Sequence, residues 1–204
     1  RLKPSGIDWL GEVPAHWERA NVGHLTSLIT SGSRGWAEFY AETGSVFIQS
    51  GNLGRDLELD LTRVQHVTPP PGSEGFRTKV RGGDILICIT GALTGNVVVV
   101  DVDLTSAFVN QHVALLRPRA TDVFPRFLGY VLRSPFGQHQ LKQVEYGGTK
   151  QGLGLGELKR TSVFLPPMDE QAAIVDRLDR QLEQLRAGGK SATREVKLLH
   201  EYRT

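Results

Sequence analysis

The stretch LPPMDEQAAIVDRLDRQLEQL, residues 165–185, divides the chain into two unlike parts. The preceding sequence is rich in glycine and in short strand-like runs, and it ends at Pro166-Pro167. After the prolines the sequence is charged and helical, with apolar residues at two positions in every seven. These positions are Val175, Leu178, Leu182, Leu185, Ala192, Val196 and Leu199. Two apolar residues per seven are typical of a coiled-coil seam, so we predict a helix that packs against a second helix rather than along its own head.

The same change of composition predicts an α+β protein with two domains. Residues 1–167 are expected to form a β-rich globular head, and residues 168–204 a long helix of the coiled-coil type. At about 1.5 Å per residue this helix would be about 50 Å long. Each glycine of Gly188-Gly189 weakens a helix by about 1 kcal/mol, so a bend or break is expected there.

The composition excludes several classes of protein. No apolar run approaches the roughly 18 residues that cross a bilayer, and the first residues do not resemble a signal peptide. The single cysteine, Cys88, excludes an internal disulfide framework and a cysteine-based zinc site. Cys88 lies in the apolar run GDILICIT, which predicts a buried, inert thiol. We therefore expect a cytoplasmic protein with no membrane span.

The positive charge of the sequence is concentrated in one segment. Residues 110–167 hold eight Lys or Arg residues against three Asp or Glu residues, whereas residues 1–109 are net negative and residues 168–204 are neutral. A clustered basic segment is typical of a protein that binds a polyanion. A solvated basic surface explains the charge equally well.

Hydrophobic patterns predict the elements of the head. Tryptophans Trp9 and Trp17, set among Gly and Pro residues, predict a strap on the domain surface. Strands are predicted at residues 45–49, 57–68, 83–90, 96–103, 107–118 and 161–167. A helix is predicted at residues 124–133, capped by Thr121 or Asp122, and another after the cap Ser134.

Polar, glycine-flanked loops are the features best suited to binding, since we find no set of residues typical of a catalytic site. Arg, Asn and Gln side chains recognise guanine and adenine edges, and glycines let the backbone approach phosphates. The DNA-binding candidates are Ser33, Arg34, Trp36, Gln49, Asn52, Arg55, Thr94, Asn96, Asn110, Gln111, His112, Lys142, Thr149, Lys150 and Gln151. For any one of them, a purely structural role in a turn remains the alternative.

Individual roles can be assigned to most of these candidates. The basic side chains are expected to contact phosphates: Arg34, Arg55, Lys142 and Lys150. The amides and one hydroxyl are expected to contact base edges: Gln49, Asn52, Asn110, Gln111, Thr149 and Gln151.

Four segments resemble the specificity subunit of type I restriction-modification enzymes. They are SGIDWLGEVPAHWE (5–18), GDILICITGALTGNVVVV (83–100), AFVNQHVALLRP (107–118) and GTKQGLGLGELKRTSVFLPPMDEQAAIVDRLD (148–179). The resemblance implies a target recognition domain that binds double-stranded DNA, followed by a conserved spacer helix. It also implies that such a head recognises one half of a split site, and that the helix pairs with that of a second recognition half.

The resemblance further implies partners that carry the chemistry. Methylation subunits would bind S-adenosylmethionine and modify adenine, and the restriction subunit would use ATP and Mg²⁺. This chain itself would hold no metal or cofactor and would not be an enzyme.

Three alternatives remain open at this point. The chain could belong to a nuclease or fused methyltransferase that has its own activity. It could be an assembly adaptor that never contacts DNA, or a half-size specificity subunit that forms a homodimer. The target bases cannot be deduced from the sequence.

Overall fold

The computed structural model describes residues 1–32, 34–54, 56–70, 72, 77–102, 104–144 and 152–201, with side chains described to residue 188 in the last helix. The strands are β1 (Leu2–Pro4), β2 (Glu12–Pro14), β3 (Glu18–Asn21), β4 (Thr26–Ser31), β5 (Tyr40–Ala41), β6 (Ser45–Ile48), β7 (Gln65–Val67), β8 (Ile85–Cys88), β9 (Val97–Val99), β10 (Ala107–Val109), β11 (Val113–Pro118) and β12 (Ser162–Leu165). The helices are α1 (Val22–Leu25), α2 (Pro125–Arg133), α3 (Pro135–Gln143), α4 (Leu155–Arg160) and α5 (Met168–Glu201). Short 3₁₀ turns cover Trp36–Phe39 and Ser50–Asn52.

An inner antiparallel sheet, in the order β4-β11-β8-β9, forms the centre of the head. Successive side chains of a strand point to opposite faces. Accordingly Ile85 and Ile87 join the core on one face, and Leu86 and Cys88 join the core on the other. Because both faces of the sheet are covered, β8 and β9 are continuous apolar runs, as the sequence predicted.

Different layers cover the two faces of the inner sheet. Helix residues such as Leu128, Leu141 and Leu158 pack on one face. A second sheet, in the order β10-β6-β7-β5, covers the other face through residues that include Ile48 and Val109. Cys88 is buried there, and burial raises the pKa of its thiol. The β-rich head expected from the sequence is therefore present.

Two of the strand predictions are wrong in a way that matters for the site. Of residues 57–68, only Gln65–Val67 forms a strand, because Leu57 has a φ of 62° that turns the chain. Burial of the Leu57 side chain and the hydrogen bond from Val99 N–H to its carbonyl, 2.9 Å long, compensate for that conformation.

Residues 107–118 form two strands rather than one. β10 pairs with β6 in the second sheet, and β11 lies in the inner sheet. The intervening residues 110–112 form a turn that carries the chain from one sheet to the other. The prediction that Asn110, Gln111 and His112 lie within a strand is therefore wrong.

The helix caps agree only in part with the sequence. Ser134 caps α3 as predicted, and its Oγ accepts a hydrogen bond from Gly137 N–H at 3.2 Å. The N-cap of α2 is Phe124 rather than Thr121 or Asp122. The backbone N–H of Phe124 donates to Gln171 Oε1 at 2.9 Å, so a side chain of α5 supplies the hydrogen-bond partner at the start of α2.

Helix α5 begins on the head rather than apart from it. Gln171 is fully buried, and Val175 belongs to the core that faces the helices. Val175 is therefore a core residue of the head, which corrects its assignment to a seam with a second helix. The helix continues through Gly188 and Gly189, so the expected break is absent. The domain boundary between residues 167 and 168 stays a prediction.

The N-terminal strap packs as its tryptophans predicted. The centroid of the Trp9 ring lies 5.3 Å from that of the His139 ring and 6.4 Å from that of the Phe136 ring. Trp17 Nε1 donates to Glu170 Oε1 at 3.0 Å, and His16 bonds to the same carboxylate. These two hydrogen bonds lower the pKa of Glu170. The strap thus joins α3 to the beginning of α5.

Candidate nucleic-acid interface

The C-terminal ends of four strands meet at one end of the head. β6 and β10 are parallel neighbours, so Gln49 and Asn110 follow them at the same edge. Gly32, after β4, donates its N–H to the Asn110 carbonyl, and Ile89, after β8, donates to the carbonyl of His112. We call this region, residues 32, 34, 49–52, 90–96 and 110–112, the polar edge. Three of the loops chosen from the sequence therefore lie together.

The close approach at Gly32 requires a residue without a side chain. A Cβ atom there would lie 2.0 Å from the carbonyl oxygen of Val109 and 2.3 Å from the carbonyl carbon of Asn110. Contacts this short with backbone atoms cannot be relieved by a side-chain rotation. The glycine therefore allows the end of β4 to pack against the turn after β10.

Several DNA-binding candidates are structural residues. Asn52 is buried; its Oδ1 accepts from Gln49 N–H at 2.9 Å, and its Nδ2 donates to the carbonyls of Asp60 and Arg63 at 2.9 and 2.8 Å. Asn110 is also buried, and its Oδ1 accepts from His112 N–H at 3.0 Å. These hydrogen bonds show that both residues stabilise loops, and their contacts with base edges stay predictions.

Two further candidates have structural roles. Trp36 is buried and stacks on Phe47 at a centroid distance of 5.5 Å, within a cluster that also includes Phe108. Asn96 Nδ2 donates to the Leu53 carbonyl at 2.9 Å. The Trp36 ring fills the outer core of the second sheet, and its contact with DNA stays an untested prediction. Asn96 instead ties two loops together.

Other candidates keep polar groups at the surface. Arg34 is exposed and forms no ion pair with a described residue. Gln49, Gln111 and Thr94 are half-buried, and His112 is exposed. Gln49 Nε2 donates to Tyr40 Oη at 3.1 Å, and the two side chains at 111 and 112 contact each other at 3.1 Å. The polar edge thus presents a guanidinium, two amides and an imidazole.

The remaining candidates lie elsewhere or outside the described residues. Lys142 is exposed in the last turn of α3, which contacts the loop after β8 through the hydrogen bond from Gln138 Nε2 to the Gly95 carbonyl at 2.8 Å. Ser33, Arg55, Thr149, Lys150 and Gln151 lie outside the described residues. Gly152, which follows them, bridges to Thr90.

Sequence reasoning missed a cleft beside Gln49. The cleft has a volume of about 460 Å³, and its lining includes Thr62, Arg63 and Gln65. Hydrogen bonds from the side chain and backbone of Thr62 lower the pKa of Asp60 on the same rim. The rim residues come from the turn before β7, and no local pattern distinguished that turn from other loops.

The basic segment does not form a uniform positive face, because several of its cations are paired. Arg117 makes two contacts with the buried carboxylate of Asp84, Nε–Oδ1 at 2.8 Å and Nη2–Oδ2 at 2.7 Å. Arg126 pairs with Asp179 and Asp101. Net charge along the sequence therefore overstates the free positive charge of this region.

The apolar residues of α5 lie in different environments. Leu178 is half-buried beside an apolar groove of about 240 Å³ that also touches Ile174, Leu10 and Phe136. Leu182 is half-buried, whereas Leu185 is 72% exposed. The side chains of Ala192, Val196 and Leu199 lie outside the described ones. An exposed leucine in line with a groove is a surface that another apolar element could cover.

Among the described residues, no three His, Cys, Asp or Glu side chains form a group that could hold a metal ion. Within the same part of the chain, no helix combines the length and apolar character that a membrane crossing requires.

Comparison with known protein families gives a match over more than half of the chain. Residues 75–192 match the family described as the type I restriction modification DNA specificity domain. The EcoBI specificity subunit of a type I restriction enzyme from Escherichia coli is 33% identical over 141 residues. That alignment covers 69% of this chain and 28% of the relative.

Solved structures show the same fold. One, from work on complex assembly and conformational transition of the type I R-M system, has a TM-score of 0.68 at 24% identity and covers 91% of this chain and 42% of that one. The HsdS subunit of Thermoanaerobacter tengcongensis has a TM-score of 0.65 at 24% identity, with coverage of 91% and 41%. The S subunit of M. genitalium has a TM-score of 0.59 at 18% identity, with coverage of 84% and 41%. The chain thus spans less than half the length of these proteins.

Proposed function

The chain belongs to the family of type I restriction-modification DNA specificity domains, and we propose that it recognises one half of a split DNA target. The observation that carries this proposal is the polar edge. Loops that are distant in sequence meet there, and they leave Arg34, Gln49, Gln111 and His112 accessible.

Two kinds of contact divide the work at this edge. Arg34 is suited to a phosphate, because it is exposed and has no acidic partner among the described residues. Gln49 and Gln111 are suited to base edges, since an amide can donate and accept together. Lys142 and Lys150 would add phosphate contacts. Thr149 and Gln151 would add base contacts.

The chemistry would be carried by other subunits. Methylation subunits would supply S-adenosylmethionine-dependent methylation of adenine, and a restriction subunit would supply ATP- and Mg²⁺-dependent cleavage. This chain would be the non-catalytic member that selects the target and docks the methylation subunits.

The exposed side of α5 favours a second helix as a partner. Leu178, Leu182 and Leu185 form an apolar line that begins at the groove and ends at the exposed Leu185. We propose that this line, with Ala192, Val196 and Leu199, packs against the helix of a second recognition half. A homodimer partner would satisfy the same surface.

The test uses the intact protein assembled with its methylation subunits. Methylome sequencing identifies the wild-type target, and binding is then measured for Arg34→Ala and Gln111→Ala on cognate and altered DNA. Arg34→Ala should weaken binding to all sequences and lower the salt slope by about one unit. Gln111→Ala should relax one target position, by about 1–3 kcal/mol of discrimination.

Arg177→Ala is the matched control. Arg177 is exposed on α5, so its loss removes the same charge away from the polar edge. Wild-type binding by both Arg34→Ala and Gln111→Ala would contradict the assignment of the polar edge. Cleavage or methylation of plasmid by the purified chain alone, with Mg²⁺ and S-adenosylmethionine, would favour the enzyme alternative.

A further inference from the structure

One stripe of residues along helix α5 contacts the head. Gln171, Val175, Asp179 and Arg186 follow one another at spacings of four, four and seven residues, so they lie on the same side of a helix. Gln171 and Val175 hold the beginning of the helix by burial. The contacts of Asp179 and Arg186 lie farther along it.

Asp179 is the nearer of the two charged anchors. Both of its carboxylate oxygens lie 2.8 Å from Arg126 Nε, and Tyr130 Oη donates to Oδ1. Arg126 is held in turn by Asp101 at 3.1 Å. Since Arg126 and Tyr130 belong to α2, this anchor joins α5 to the helical layer of the head.

Arg186 is the farther anchor, and it contacts a different part of the head. Its guanidinium bonds to Glu58 and lies 3.9 Å from the carboxylate of Asp56. Asp179 and Arg186 are seven residues apart, or about 10 Å along a helix axis. One contact fixes only a position along a rod, whereas two separated contacts also fix its direction.

The segment that Arg186 contacts is joined directly to the polar edge. Asp60 N–H donates to the Asn52 carbonyl at 2.8 Å, and Asn52 Nδ2 donates back to the Asp60 carbonyl at 2.9 Å. The Oδ1 atom of Asn52 holds the backbone of Gln49. A short run of hydrogen-bonded residues therefore connects the end of the anchored stretch of α5 to the loop that presents Gln49.

We propose that Arg186, through Glu58 and Asp56, fixes the direction of α5 relative to the polar edge, and that Arg186 and Asp179 are positioning residues for DNA recognition. The role of Arg186 and Asp179 in DNA recognition rests on the function proposed above, whereas the contact of Arg186 with the head, which we call the anchor, does not. Its consequence is that the head keeps one orientation on its helix. Loss of Arg186 would therefore alter the geometry between two recognition halves without changing the bases that each half selects.

The anchor can be measured without DNA. Spin labels at Glu42→Cys, on an exposed turn of the head, and Gln184→Cys, on the outer side of α5, report the distance between head and helix. Cys88 is fully buried and stays unlabelled in the folded protein. The wild-type chain should give one narrow distance distribution.

Reversal of the charge at Arg186 should change the distance between the labels most. Arg186→Glu places a third carboxylate beside Asp56 and Glu58, so the distribution should broaden or shift. The swap Arg186→Glu with Glu58→Arg should narrow it again. Arg180→Glu, the same charge change on the opposite side of the helix, should match the wild type. Unchanged circular dichroism will show that each variant is folded.

Because the side chains of Arg186 and Glu58 are exposed, their ion pair should raise the population of the anchored orientation by only about two- to five-fold. About 1 M salt, which shortens the screening length to about 3 Å, should broaden the wild-type distribution as well. A distance distribution for Arg186→Glu with the same mean and the same width as the wild type would overturn the proposal. Failure of the swap to narrow the distribution would overturn the assignment of Glu58.

The functional arm uses the assembled methylation complex. Targets whose half-sites are one base pair closer or farther apart should gain about two- to five-fold in relative methylation with Arg186→Glu, at unchanged preference for the bases of each half. No gain would refute the link between the anchor and recognition. If the wild-type complex neither binds nor methylates a specific target, the proposed function fails, and the label distances still decide whether the anchor exists.

Discussion

The inner sheet and the polar edge use their residues in opposite ways. In strands β8 and β9 of the sheet, neighbouring side chains alternate between two cores and all are buried, so residue type and role agree there. At the polar edge, Gln49 and Asn52 are chemically similar, lie three residues apart and line the same cleft, yet Gln49 is only half-buried while Asn52 is buried with three hydrogen bonds. Chemistry therefore identifies a binding region, but only packing separates the residues that present it from those that hold it.

The largest expected effect tests the rigid side of this comparison. Asp84 is 1% exposed and accepts two hydrogen bonds from Arg117 and one from the Arg81 backbone. Asp84→Ala leaves a guanidinium without its counter-ion and should lower the free energy of unfolding by about 3–5 kcal/mol. Urea denaturation measures the loss. Asp101→Ala, which breaks a more exposed pair with Arg126, should cost no more than about 1 kcal/mol.

Asn52→Ala should have the next largest effect, since it removes the support beneath the polar edge. The carbonyls of Asp60 and Arg63 lose their donor, and we expect a loss of about 1–3 kcal/mol in unfolding free energy. Gln49→Ala, at its half-buried counterpart, should change stability by less than about 0.5 kcal/mol. Equal losses for the two variants, measured by thermal unfolding, would remove the distinction drawn between them.

Tyr130 offers an intermediate case, half-buried and hydrogen-bonded between α2 and α5. Burial, and then the hydrogen bond to Asp179, raise its pKa to about 12. The unfolded phenol loses its proton near pH 10, whereas the folded one retains it. Stability from this group is therefore complete below about pH 10 and is lost as the pH rises towards 12. Absorbance titration of wild type against Tyr130→Phe measures the pKa, and a midpoint near 10 would contradict the contact.

Gln111→Ala should have the smallest effect on folding. Within the described structure its side chain hydrogen-bonds only to His112, so the unfolding free energy should change by less than about 0.5 kcal/mol. The same substitution should still alter DNA discrimination. A loss above 1 kcal/mol would mean that position 111 supports the edge as Asn52 does.

The sequence predicted regions well and individual roles less well. The strands near Ile85 and Val97 were found because two covered faces require continuous apolar runs. The alternating leucines of residues 57–61 predict a strand over residues 57–68, but the positive φ of Leu57 turns the chain there. The segment from 107 to 118 predicts one strand because no Gly or Pro marks the turn at residues 110–112.

The long helix shows the same limit. Its heptad spacing predicted one seam, yet Val175 faces the head, Leu178 borders a groove and Leu185 is exposed. Apolar spacing defines a stripe on a helix but not the partner that covers each turn. The first turns of α5 are covered by the head because α2 and the N-terminal strap lie beside them.

By itself the sequence determined the continuous apolar runs of β8 and β9, the length of the last helix, the absence of a disulfide framework and the resemblance to a DNA specificity family. These features depend on residues that are neighbours along the chain. Only the tertiary structure decided which polar groups remain free, because Asn52 and Arg117 find their partners in loops and strands brought close by folding. Tertiary contacts also decided the direction of α5, which depends on where Arg126 and Glu58 lie in space.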